Sequence, residues 1–328
     1  MLPCSFCGAI SKKHKICAGC REARYCNQNC QKAAWPTHKL QCFRGKSTNS
    51  SVNETVTGRW KRLEQSAGAG DLMAVQQQLA QISCDADWTA KDLKPALLGS
   101  IANGHAAVCD ALLAFGADPC STNVDGNSAL ACAASLGREA ICEILLEKGA
   151  LLNTNPDPLF VAAAAGHTAV CTVLLRYGAL VNVYQDYTDE HITPLFAAAM
   201  HGHIDVCKEL LRHGADVQYG VRETNETALH TAAEHGYEHI VALLLQAGAA
   251  VNVTKKNGVT ALFCAAQRGH TAIVQMLITK GASVNTRRTD MAYAGTTPLH
   301  LAACNGHEAV VRVRLCNISA CTNVIRCW

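Results

Sequence analysis

The sequence predicts two parts of different class: a small module folded around two zinc ions, and behind it an all-α solenoid of helix-turn-helix repeats. Two observations carry this. Seven cysteines and one histidine stand in four close pairs within the first 42 residues. From Trp60 onward a glycine, most often followed by histidine, returns at intervals of 34, 33, 29, 36, 34, 33 and 37 residues. A third observation concerns compartment. Of the 19 cysteines, twelve are scattered through the Ala-rich repeat pattern, which suits reduced thiols in a cytoplasmic or nuclear protein.

The chain has 328 residues, room for more than one domain. It is 49% hydrophobic but only 5% aromatic, so its core must be built from Ala, Leu, Val and Cys. No apolar run approaches the length that spans a bilayer, and the N-terminus lacks the apolar stretch of a secretory signal. The net charge of +3 is uneven: residues 1–46 hold nine Lys/Arg against the single acid Glu22, and the remainder is −5. A basic head raises nucleic acid as an alternative partner. It lacks the interleaved aromatics of a single-strand reader and any recognition-helix pattern, and a solvated face on a small metal module explains it as well.

The head reads Cys4-x-x-Cys7, Cys17-x-x-Cys20, Cys26-x-x-x-Cys30 and His38-x-x-x-Cys42. A segment this short cannot bury enough surface to fold alone, so metal must supply the missing stability. Eight S and N ligands in four pairs fill two closed tetrahedral sites, and no open coordination position remains for catalysis. The two Zn²⁺ are therefore expected to be structural, and no catalytic residue is assigned. A disulfide framework is the weaker alternative, since nothing in the sequence looks secreted. His14 fits neither site by spacing.

The order of these pairs, ending in Gln31-x-x-x-Trp35-x-x-His38-Lys39-x-x-Cys42, resembles the MYND-type zinc finger over residues 4–42. A RING-type module would need a central Cys-x-His-x-x-Cys, which is absent. The resemblance implies a cross-brace in which Cys4, Cys7, Cys26 and Cys30 hold one zinc and Cys17, Cys20, His38 and Cys42 the other. It further implies that Gln31 and Trp35, on a helix between Cys30 and His38, help form a groove for short Pro- and Leu-containing peptides. Residues 43–59 are rich in Ser, Thr, Asn and Gly, and are expected to be a flexible linker after the 1–42 module.

Within the repeats, Ser128, Asp157, Thr193, Thr227, Thr260 and Thr297 each precede an Ala-Leu or Pro-Leu pair, the composition of a helix N-terminus. A second apolar stretch, such as Leu174-Leu175 or Leu244-Leu245, ends at a Gly-Ala that stops the outer helix. Thr297-Pro298-Leu299-His300-Leu301-Ala302 at a period near 33 resembles the ankyrin repeat, and the pattern covers residues 60–316 with about eight repeats, the first and last degenerate. The resemblance implies paired antiparallel helices with β-hairpin fingers. Taken together, the two parts resemble the ankyrin repeat and MYND domain-containing proteins, with the finger placed first.

The register removes several tempting sites. Cys109, Cys142, Cys171 and Cys207 occupy the position that Val75, Val241, Val274 and Val311 fill elsewhere, and are expected to be core residues. His105, His167, His203, His270 and His307 share another position, and His230 and His300 a third; hydrogen bonding to neighbouring backbone is their expected work. What varies is more informative. At the ends of the inner helices the middle repeats carry Met200-His201, Glu234-His235 and Gln267-Arg268, where other repeats carry Ala102-Asn103, Ser135-Leu136, Ala164-Ala165 and Cys304-Asn305. With the charged fingers nearby, these six residues are the expected groove for a protein partner, centred on residues 184–293. The 29-residue spacing with Pro156 and Pro158 predicts a clipped finger before Gly166. Arg314 breaks the last repeat, and residues 317–328 form a divergent tail without the Gly-Ala stop.

These readings converge on a non-enzymatic scaffold or adaptor that acts as a monomer through protein partners, with no membrane role. MYND-type fingers also occur within lysine methyltransferases, but the repeats leave no room here for a catalytic domain.

Overall fold

The computed structural model describes residues 15–16, 24–25, 56–82, 89–183, 191–290 and 294–313. The eight zinc ligands, Gln31, Trp35, the tail and parts of two fingers (residues 184–190 and 291–293) lie outside them. In the N-terminal module, β1 (Lys15–Ile16) pairs antiparallel with β2 (Arg24–Tyr25), with Lys15 opposite Tyr25 and Ile16 opposite Arg24. In sequence the strands run directly into Cys17 and Cys26, one ligand of each expected zinc site.

Helix α1 (Val56–Ala69) starts inside the stretch expected to be a linker, so residues 56–59 are helical. The reason lies in the spacing of Val56, Trp60, Leu63 and Ala67, which recur at helical intervals, with Leu63 and Ala67 fully buried. Next comes α2 (Leu72–Ile82).

The solenoid continues in pairs: α3 (Ala90–Asn103) and α4 (Ala106–Phe115), α5 (Ala129–Ser135) and α6 (Glu139–Glu147), α7 (Pro158–Ala165) and α8 (Thr168–Arg176). It goes on through α9 (Pro194–Met200) and α10 (Ile204–Arg212), α11 (Ala228–His235) and α12 (Glu238–Gln246), α13 (Ala261–Arg268) and α14 (Thr271–Thr279), and ends at α15 (Pro298–Cys304) and α16 (Glu308–Arg312). From α3 and α4 onward, the odd-numbered inner helices pack on one another in sequence, as do the even-numbered outer ones. Inner helices can approach closely because their contact residues are small: Ala133, Ala134, Ala162, Ala163, Ala198, Ala199, Ala232, Ala233, Ala265 and Ala266 are all fully buried.

Short helices of seven to eight residues need their ends satisfied. The predicted caps supply this. The Ser128 hydroxyl accepts from the Ala131 amide at 3.1 Å, and the Thr193 and Thr260 hydroxyls accept from the Phe196 and Phe263 amides, both at 3.3 Å. Asp157 caps α7 with its carboxylate, accepting from Leu159 at 2.9 Å and Phe160 at 3.1 Å. Between the pairs run hairpin turns closed by short bridges, such as Thr122 with Ser128 and Gly220 with Thr227. The fingers also join sideways: the Lys256 amide donates to the Thr224 carbonyl and the Thr289 amide to the Asn257 carbonyl, both at 2.9 Å.

Candidate functional site

The histidines act as the register predicts. Nε2 of His105, His167, His203, His270 and His307 lies 2.9–3.1 Å from the carbonyl of Gly68, Ser135, Ala164, Glu234 and Gln267, each in the preceding repeat. Their rings sit over a glycine: a Cβ on Gly166, whose φ is 81°, would lie 2.6 Å from Nδ1 of His203. Where histidine is missing, Arg138 Nη2 donates to the Ala102 carbonyl at 3.1 Å, and the Tyr237 ring covers Gly202. His230 reaches both ways, with Nδ1 2.9 Å from the Thr227 hydroxyl and Nε2 3.2 Å from the Val259 carbonyl. Burial, with the Lys255 charge beside it, pulls His230 down to about 4. All these rings are committed to holding repeats together.

The register cysteines are fully buried, and burial pushes the Cys142, Cys171 and Cys207 thiols up to about 12. A thiol held neutral is neither a nucleophile nor a ligand. Among the described residues, no group of three His, Cys, Asp or Glu is placed to hold a metal, and no helix is long and apolar enough to cross a membrane.

Stacking brings the six expected groove residues to the C-terminal ends of three consecutive inner helices, α9, α11 and α13. Met200, Glu234 and Gln267 are half-buried, while His201, His235 and Arg268 are exposed. His235 stacks on Tyr237 with ring centroids 5.9 Å apart.

Sequence reading did not reveal that part of this rim is already internally engaged. Arg268 Nη2 donates to Glu234 Oε1 at 2.8 Å, Lys255 Nζ lies 3.7 Å from Glu234 Oε2, and it meets Glu226 Oε1 at 2.7 Å. Lys255 keeps only 14% of its side chain exposed. Burial works against ionising Glu234, but the hydrogen bond from Arg268 and the charges of Lys255 and Arg268 outweigh it and hold the carboxyl below its usual range. Burial also opposes the Lys255 charge, and the Cys264 thiol with the two carboxylates reverses this, raising it. Only the charge character of these fingers was legible in advance, because the partners lie 21 to 34 residues apart.

A different surface lies earlier in the stack. Asp118 and Asp216 each accept from a following backbone amide at 2.9 Å, of Cys120 and Gln218, where the outer-helix stop leads into a finger. The corresponding residues Leu151 and Leu180 are 61% and 60% exposed. Beside the clipped loop is a cleft of about 300 Å³, lined by Pro119, Cys120, Thr122, Leu130, Leu151 and Thr154 among others.

Comparison with known proteins matches both parts. The MYND finger family matches residues 4–42, and the family model "Ankyrin repeats (3 copies)" matches residues 63–156, 159–255, 219–288 and 240–324. The human ASB11 ankyrin repeat domain, known from a crystal structure, superposes with a TM-score of 0.58 at 26% identity over 66% of this chain and 96% of that one. Among curated proteins, the N-lysine methyltransferase SMYD2 of Sus scrofa is 40% identical over 60 residues, which is 17% of this chain and 14% of that protein. The SET domain and MYND-type zinc finger protein 6 of Schizosaccharomyces pombe is 49% identical over 39 residues, 12% of this chain and 8% of that protein. The chain thus spans about one seventh or less of these curated relatives, in matches of 60 and 39 residues. Both matched family types, finger and repeats, are non-catalytic interaction modules.

Proposed function

The chain belongs to the ankyrin-repeat proteins and carries a MYND finger at its N-terminus, and on that premise we propose that it is a non-enzymatic scaffold with two separate docking surfaces. The repeats bind a protein along the rim of α9, α11 and α13. The finger binds short Pro- and Leu-containing peptides through Gln31 and Trp35. The observation that carries the reading is a division of labour in the register: caps, register histidines and core cysteines are committed to the stack, while Met200, His201 and Gln267 stand at its edge at positions whose residue changes from repeat to repeat.

Zinc suits the finger by the chemistry of its donors. Seven thiolates and one imidazole make two soft, closed sets, with Cys4, Cys7, Cys26 and Cys30 holding one ion and Cys17, Cys20, His38 and Cys42 the other. The metal supplies the cross-link that a 42-residue segment lacks in apolar core. The chain works as a monomer in the cytoplasm or nucleus. Similarity to methyltransferases spans the finger region and brings no catalytic role with it.

The test is affinity capture with residues 1–59 and the full chain, with and without a zinc chelator. Peptide binding should vanish on chelation while partner capture by the repeats persists. Alanine at Met200, His201 and Gln267 together should abolish partner capture without changing the melting temperature; undiminished capture overturns the groove. Glu234 and Arg268 are poor choices for this test, because their mutual pairing means that their loss also destabilises the stack.

A further inference from the structure

Charge is distributed along the solenoid with a sharp boundary. Residues 204–238 hold seven Asp/Glu and three Lys/Arg, whereas residues 239–289 hold no Asp or Glu at all and six Lys/Arg. Ion pairs cross this boundary in one direction. Glu226 and Glu234, on the acidic side, reach forward to Lys255 and Arg268. Asp290, just past the basic stretch, pairs with Arg288.

These contacts engage Glu226, Glu234 and Asp290. The fingers of the basic stretch then present Lys256 and Arg287, both exposed and without an ion-pair partner among the described residues. Arg268, 57% exposed, commits Nη2 to Glu234 and leaves the rest of its guanidinium to solvent. The fingers bearing Lys256 and Arg287 are tied together by the Thr289 to Asn257 hydrogen bond, so the two cations are held on one lateral ladder. Preorganised cations on a backbone-linked edge attract a carboxylate-bearing segment at little ordering cost.

We propose that the fingers around Lys256 and Arg287, with the Arg268 rim, dock an acidic segment of a protein partner. This rests on the rim reading above and names the chemistry of its partner. A protein segment fits better than a nucleic-acid backbone. A polyphosphate continuing along the stack would run into the seven-acid block at once, while a short acidic segment can end at the boundary.

The test uses the full chain and a fluorescent Glu/Asp-rich peptide of about twelve residues, with a Gln/Asn version as control, followed by anisotropy at low and high salt. The acidic peptide should bind and the neutral one should not, with affinity falling steeply as salt rises. Lys256→Glu with Arg287→Glu should weaken binding by roughly tenfold or more, and Lys256→Gln with Arg287→Gln by less, in line with the effect of charge on docking. Lys280→Glu, at the end of outer helix α14, should leave binding intact.

Equal binding of the neutral peptide, or no response to the double reversal, overturns the proposal. So does tighter binding of duplex DNA lost in the same variant. If the double reversal is silent while the Met200, His201 and Gln267 triple variant abolishes partner capture, the rim reading stands and the acidic specificity fails. If the reversal abolishes peptide binding while the triple variant captures partner normally, the rim is wrong and the fingers alone dock.

Discussion

At the C-terminal ends of inner helices α5 and α7 stand Ser135-Leu136 and Ala164-Ala165, whereas those of α9, α11 and α13 carry Met200-His201, Glu234-His235 and Gln267-Arg268. The same contrast runs through the loops. The earlier repeats show Leu151 to solvent beside a clipped loop and a cleft, and Leu180 at the start of the next finger; the later ones carry fingers braced by Lys255, Glu226 and Glu234. Beneath these faces the two halves are alike. Cys142 and Cys171 fill in one half the place that Cys207, Val241 and Val274 fill in the other, all of them fully buried. Backbone staples of the same geometry, His167 to Ser135 and His270 to Glu234, join repeats in both. The scaffold is repeated while the surface is local, so function must be sought where the repeats differ.

The largest effect tests the shared scaffold. Leu174→Ala and Leu244→Ala each empty a fully buried site, and each should cost about 2–5 kcal/mol in urea unfolding. A silent result in one half would show that the cores are not equivalent.

A second experiment separates the halves by pH. Burial raises Asp157 to about 6 from 3.8, against the pull of its bonds from the Phe160 and Leu159 amides. Its contribution is therefore greatest below about pH 4 and is lost as pH rises through about 6. His230 is depressed from 6.5 to about 4, so its contribution is complete above pH 6.5 and is lost as pH falls towards 4. On acidification α7 should gain protection and α11 lose it, each by on the order of 2 kcal/mol. Hydrogen exchange at pH 7 and pH 5, corrected for intrinsic rates, reads the difference. Asp157→Asn and His230→Asn should each remove one slope.

Smaller still is the difference between two adjacent lysines. Lys255→Met strips Glu226 of its partner in a partly buried setting and should cost about 1–2 kcal/mol. Lys256→Met, exposed and without an ion pair among the described residues, should stay within about 0.5 kcal/mol. Equal costs in thermal melts would mean the brace contributes nothing. Smallest of all, Leu180→Asp restores the acceptor that Asp118 and Asp216 provide and should shift stability by about 0.5 kcal/mol or less, in the favourable direction.

What repeats was legible in the sequence, and what happens once was not. Thr193 and Thr260 as caps, Cys171 as core and His203 as a backbone staple each follow from a position seen several times, where alignment within the chain averages out chance. The Lys255 brace occurs once and joins residues from two fingers and two helices, so no spacing announces it. Composition also misled at the linker: residues 56–59 look like tether by their Thr and Gly, yet the apolar spacing from Val56 extends α1 through them. The zinc ligands are a special case. Their chemistry is the clearest signal in the chain, carried by spacing and by the finger family's match to residues 4–42.

The ring over glycine has a consequence for how such a chain can change length. Gly137 is covered by His167, and Gly166 by His203, so each joint is made by a residue one unit further along. Excising residues 167–202 would bring His203 to the place His167 held, over Gly137, with the same donor and the same hollow. A cut of any other length there would seat a different side chain against a surface that accepts few. The joint therefore acts as a gauge: insertion or loss of whole units passes, and fractions of a unit do not.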